Sequence, residues 1–175
     1  MSIFLCIVVF GIIIILFTIL YEYNKLLNKE FKPDEERKGN EENSKKALIL
    51  WTPSKHSGCK KVKDIVVDTL YKKGYFVKVN YPILSNTYNY NDFDFICYIS
   101  PVYFNKVSKT LCEVMVNSNY RNKKVAIICV GRALNTNNEV DYMKSLIDKQ
   151  NDFSTIKVNT EQEKIVSDFI NSAII

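Results

Sequence analysis

The chain has 175 residues, 47% of them hydrophobic and 25% charged, with a net charge of +5, five cysteines and a single histidine. One histidine and no close cysteine pair argue against a zinc site, so no metal is expected. The positive charge lacks a basic motif with interleaved aromatics, which argues against nucleic acid as a partner.

In chain order, Ile3 to Leu20 are eighteen consecutive uncharged residues rich in Ile, Leu, Val and Phe, followed by Tyr21 and Tyr23. At about 1.5 Å per residue this run covers roughly the 30 Å hydrocarbon thickness of a bilayer, and the tyrosines suit its interface. It predicts a single-pass anchor over 1–21, in contact with membrane lipid through residues 3–20. A cleavable signal would need a basic start and a small-residue cleavage site, and neither occurs. No Lys or Arg precedes the span, whereas Lys25, Lys29, Lys32, Arg37 and Lys38 follow it closely. The positive-inside rule then places the C-terminal bulk in the cytoplasm.

Residues 22–45 carry seven acidic and six basic side chains with few apolar groups, which reads as a flexible charged linker. From 46 to 175 there is chain enough for one domain with a single core. Ala47–Trp51 is a short, evenly apolar run, a buried parallel strand. Val62, Ile65, Val66, Thr69 and Leu70 then recur at helical spacing, and Gly74 closes that helix after Lys72 and Lys73. Tyr75–Asn80 is the next strand, 81–92 a polar loop, and Phe93–Ser100 a strand stopped by Pro101. Val107–Val116 has helical spacing, Lys124–Val130 is another buried strand, and Asn138–Lys149 a helix. Ser154–Val158 reads as a short edge strand, and Thr160–Ile174 as a final helix with a capping box from Thr160 and Glu163. Five strands alternating with four helices predict an α/β fold, an open parallel five-stranded sheet covered on both faces.

Ligands of such sheets bind at the carboxyl ends of the strands. Three loops lie there: 52–59, 101–106 and 131–137. The first offers hydroxyls and backbone N–H groups at a helix start, where the dipole and the unpaired amides favour an anion such as phosphate. The second, with Tyr103 and Phe104 beside Pro101, can stack on a planar ring or plug the sheet edge. The third has Gly131 and amide side chains able to bond the polar edge of that ring.

Residues 46–175, through KALIL, SKHSGCKKV, FDFICYISPVYFNK and KKVAIICVG, resemble the flavodoxin-like family along their whole length. The resemblance implies a three-layer sandwich with strand order 2-1-3-4-5, FMN as cofactor and electron transfer as activity. It implies that Ser54, Lys55, His56, Ser57, Gly58 and Cys59 surround the phosphate. Pro101, Val102, Tyr103 and Phe104 would flank the isoalloxazine, and Gly131, Arg132 and Asn135 would face its polar edge. No catalytic acid or base is then required, and the expected partner is a redox protein.

Ser57-Gly58-Cys59 stands where many relatives have Gly-Asn-Thr, so a thiol replaces one hydroxyl. Two alternatives therefore stay open, a cofactor-free binding module at the membrane and a small FMN-dependent NAD(P)H:acceptor reductase. The domain is also basic, with eighteen Lys and Arg against twelve Asp and Glu. Cys97, Cys112 and Cys129 read as small core residues. Cys59 differs, because a helix N-terminus with His56 and Lys60 nearby can lower a thiol pKa.

Overall fold

A computed structural model describes residues 3–42, 44–85 and 88–175. Positions 1, 2, 43, 86 and 87, which belong to the expected anchor, linker and 81–92 loop, lie outside the described residues. The elements in chain order are α1 (Ile3–Leu27), β1 (Glu36–Lys38), β2 (Lys45–Trp51), α2 (Gly58–Lys72), β3 (Tyr75–Asn80), β4 (Phe95–Pro101), α3 (Lys109–Asn117), β5 (Lys124–Val130), α4 (Asn138–Ser145), β6 (Asp152–Val158) and α5 (Glu163–Ala173). Between β3 and β4 the described residues make only a short 3-10 turn, Tyr90–Asp92, matching the connection expected to lack a helix.

The sheet has the order β1-β3-β2-β4-β5-β6. Its five parallel strands follow the expected 2-1-3-4-5 pattern, with the crossover at β2. The central strands β2, β4 and β5 are buried on both sides because both faces are covered, whereas the edge strand β6 is only partly buried. Ala47, Ile49, Cys97, Ile99, Ala126 and Ile128 pack under α2 and α5, against Val62, Val66, Leu70, Val166 and Ile170. Leu48, Leu50, Ile96, Tyr98 and Ile127 pack on the other face against Leu111 and Met115 of α3 and Val140 and Met143 of α4. Burying each such Leu or Ile contributes about 1.5–3 kcal/mol.

Six strands replace the five expected, and the sixth comes from the segment read as linker. β1 pairs antiparallel with β3, Glu36 opposite Val79 and Lys38 opposite Val77. Edge pairing needs only backbone groups, so a charged segment serves, and it covers what would otherwise be an open strand edge. Its side chains are matched as well: Glu36 pairs with Lys63 at 3.0 Å and Lys38 with Asp68 at 2.6 Å. Burial pulls the Lys63 ammonium down in pKa, but hydrogen bonds to Asp64 and Glu36 outweigh it and the net shift is upward. Nearer the helix, Leu27 is buried, Phe31 lies 5.0 Å from Tyr81, and the Asp34 N–H donates to Asn80 Oδ1. Much of 22–45 is thus laid on the carboxyl edge of the sheet.

α1 is long and apolar enough to cross a membrane; within Leu5–Leu27 an 18-residue window has a mean hydropathy of 2.7 and no buried residue. It ends beyond the 21 expected, because Glu22 to Leu27 continue the helix onto the domain. The expected capping box is not formed. α5 starts at Glu163 with Gln162 as its cap, and Gln162 Oε1 instead accepts from the Asn159 N–H.

Candidate functional site

Thr52 opens the first loop at the end of β2. Its N–H donates to the Ile99 carbonyl at 3.0 Å, its side chain is buried, and its Oγ1 has no partner. An unsatisfied buried hydroxyl costs about 1–3 kcal/mol, a cost that an incoming ligand oxygen would offset. The next residues fold the loop back on the helix it feeds. Ser54 Oγ accepts from the Cys59 N–H at 3.0 Å, in place of a bond from the cap residue Ser57, which is left-handed at φ 54. Lys55, His56 and Ser57 are exposed.

Gly58 has a steric reason. A Cβ there would lie 2.5 Å from Thr160 Cγ2, so only glycine lets the loop after β6 rest on the start of α2. Cys59 is fully buried within the α2 side of the core, and burial pushes its thiol up to about 12, with the Ser54 hydrogen bond opposing. This overturns the expectation of an activated thiol: the side chain points into the core, away from the mouth of the helix.

The second loop follows Pro101, which is itself the last residue of β4. Tyr103 and Lys106 exchange both backbone hydrogen bonds, at 3.0 and 2.9 Å, around Phe104 (φ 50) and Asn105 (φ 59). Two left-handed central residues define a type I′ turn, in which phenylalanine is an outlier. Tyr103 turns back to the first loop, where its hydroxyl accepts from the Lys55 N–H at 2.7 Å. Burial raises the phenol pKa, and the Lys55 contact opposes it.

The third loop touches the second only at its base. The Val102 N–H donates to the Val130 carbonyl and the Gly131 N–H to the Val158 carbonyl, both at 2.9 Å. A Cβ on Gly131 would lie 3.1 Å from Val102 Cβ. Arg132 to Asn137 are all exposed, so Arg132 and Asn135 stand apart from the other candidates. The loop is fixed from beneath by Lys157, whose Nζ donates to the Thr136 carbonyl at 3.2 Å and to Glu139 Oε2 at 2.8 Å in a pair buried on both sides. Glu139 Oε1 has no partner.

The structure therefore gathers Ser54, Lys55, Gly58, Cys59 and Tyr103 at one corner, and Val102 with Gly131 beside it. Sequence reasoning did not single out Thr52, Glu139 or Lys157; the lone cation within the apolar strand Asp152–Val158 was the available signal. It also missed Tyr23. That ring sits 4.5 Å from Tyr103 and 5.6 Å from Phe104, with Lys55 Nζ 5.0 Å from its centre. A cavity of about 380 Å³ separates α1 from the second loop, walled by Phe17, Leu20, Asn24, Phe104 and Lys106 among others.

No family model matches the chain, and no curated protein is similar enough to match. Solved structures do match in fold. A flavodoxin from Streptococcus pneumoniae TIGR4 is 15% identical with a TM-score of 0.60, over 73% of this chain and 97% of that one. Flavodoxin 2 from Bacillus cereus is 18% identical with a TM-score of 0.57, over 74% of this chain and 95% of that one. The flavo di-iron protein from Thermotoga maritima is 12% identical with a TM-score of 0.54, over 79% of this chain and 38% of that one. At these identities the likeness establishes the fold: the chain is flavodoxin-like.

Proposed function

We propose that this flavodoxin-like chain is a membrane-anchored FMN protein that passes electrons to a redox partner protein on the cytoplasmic side. The observation that carries this reading is the buried, unpartnered Thr52 hydroxyl at the head of a loop that ends in a helix N-terminus. That combination suits a phosphate, since one loop carries both a free hydroxyl donor and a helix start whose dipole favours negative charge. When bound, FMN would supply the one- or two-electron redox chemistry, and the protein the binding and electrostatics. The Bacillus cereus relative was studied in its oxidised form and a Megasphaera elsdenii flavodoxin in its two-electron reduced form, in keeping with an electron-carrying role.

In this reading Thr52, Ser54 and the first amides of α2 hold the phosphate, with Lys55 and His56 at its rim. Val102 and Tyr103 flank the ring, and the Gly131 to Asn135 backbone with Arg132 bonds its polar edge. Tyr103 must first leave the Lys55 N–H. Charge at the membrane face comes from α1, whose length and apolarity fit a span, and from Lys25, Lys29, Lys32, Arg37 and Lys38 behind it.

One observation favours a second reading. Lys55 and Cys59, two amides a phosphate would use, are already bonded to Tyr103 and Ser54. A cofactor-free module would keep these bonds permanently. The full chain in detergent, mixed with excess FMN and desalted, separates the two. Retained flavin with a perturbed visible spectrum supports the electron carrier; a colourless protein with the same melting temperature with and without FMN overturns it in favour of the binding module.

A further inference from the structure

We propose that the 103–106 turn is seated in the lipid headgroup layer, so that the carboxyl edge of the sheet and its candidate site lie against an anionic membrane surface. This rests on reading α1 as a membrane span.

Depth along α1 carries the argument. Its apolar run extends to Leu20, and Tyr21 and Tyr23 mark the interface, where tyrosine rings prefer to sit. The second loop meets the helix at the level of these tyrosines: Tyr103 and Phe104 lie 4.5 and 5.6 Å from Tyr23, and the cavity between loop and helix is walled by α1 residues from Phe17 to Leu27.

The turn is shaped for such a place. Phe104 is held in a left-handed conformation that a bulky residue seldom adopts, and its ring is 59% exposed at the tip. Strain of this kind persists only where the surroundings fix it. In water the exposed ring gains nothing, whereas at the headgroup boundary it buries apolar surface. Lys106 follows on the turn, Lys55 lies over Tyr23, and Lys25 is in the last turn of α1, three ammonium groups placed to meet lipid phosphates against one carboxylate, Glu22, on the helix.

The docking is also firm. Tyr23 packs against Tyr103 with the rings tilted at 42°, Leu27 is buried, and the Lys29 carbonyl accepts from Thr110 Oγ1 at 3.4 Å. From there the chain runs into β1 and the sheet, so the domain has little free tether on which to swing away.

Phe104→Trp in the full chain tests this. The protein is reconstituted into phosphatidylcholine–phosphatidylglycerol vesicles doped with a lipid nitroxide-labelled near the headgroup, and tryptophan emission is read. Trp51, the single native tryptophan and a buried one, is the internal reference. Tyr21→Trp, made separately, is the depth ruler. The expected result is a blue-shifted indole at 104 that loses as much emission to the nitroxide as the indole at 21, while Trp51 is spared. A water-like, unquenched indole at 104 in protein that floats with the vesicles overturns the docking and leaves the anchor standing. Protein that does not float overturns the anchor and the docking with it. If Phe104→Trp fails to melt cooperatively, Lys106→Trp reads the same depth with the same criteria.

Discussion

Two loops on the same sheet edge are built in opposite ways. Loop 52–57 is closed on itself, with Ser54 on the Cys59 amide, Tyr103 on the Lys55 amide and Gly58 under Thr160. Loop 131–137 leaves its side chains in solvent and is gripped only from below, by Gly131 on Val158 and by the buried Lys157 on Thr136 and Glu139. Rigidity in the first comes from the loop's own hydrogen bonds, and in the second from one buried ion pair. A phosphate needs fixed donors, whereas the edge of a ring can be met by backbone that adjusts.

The contrast is most easily broken at the ion pair. Lys157→Met leaves Glu139 buried and uncompensated, so a loss of about 3–5 kcal/mol is expected in denaturant unfolding of the full chain in detergent. The double change Lys157→Met with Glu139→Leu should recover most of it, because no uncompensated charge is then buried; if it does not, the loss comes from the Thr136 contact rather than from the orphaned carboxylate. Next comes Gly58→Ala. The new methyl would lie 2.5 Å from Cγ2 of Thr160, an exposed side chain with a stiff β-branched χ1, so the loop after β6 must shift and a loss of about 1–3 kcal/mol is expected by the same measurement.

The remaining two changes sharpen the contrast at the level of binding. Thr52→Val removes the orphaned hydroxyl, so FMN affinity measured by fluorescence titration should fall by about tenfold, equivalent to about 1.4 kcal/mol. The flavin-free protein should unfold no more easily, because a buried polar atom without a partner has been deleted. An equal fall in stability would mean that Thr52 has an internal role. The smallest effect belongs to Tyr103→Phe. Freeing the Lys55 amide should raise FMN affinity by about threefold, within the net worth of one hydrogen bond; a decrease would mean that the hydroxyl assists the ligand rather than competing with it.

The parallel sheet was legible because its central strands β2, β4 and β5 are apolar runs cut off by Gly, Pro or polar turns, and the helices between them keep a regular stripe. β1 was not, because Glu36-Arg37-Lys38 carries no apolar pattern and its pairing is made by backbone alone. Burial of Cys59 could have been read: with Val62 and Val66 it completes the helical stripe at spacings of three and four. Thr160 looked like a cap because Glu163 follows it by three, yet its methyl is used against Gly58. The site is legible to the extent that it is loop chemistry at strand ends. Tyr23 belongs to it through a contact between residues 80 apart in the chain, and Lys157 through a position one strand below; neither leaves a local mark.

The pairing of β1 sets an order on folding. Its only neighbour in the sheet is β3, which leaves the ribosome well after it, with β2 and α2 made in between. Until then Glu36 to Lys38 have no strand to join, and their charges keep the waiting segment from adhering to other exposed edges. The helix at the start of the chain is complete before any of this. β1 can pair as soon as residue 80 has emerged, before β4 to β6 and α5 are made, and a chain stalled before residue 75 would present a finished apolar helix with nothing folded behind it.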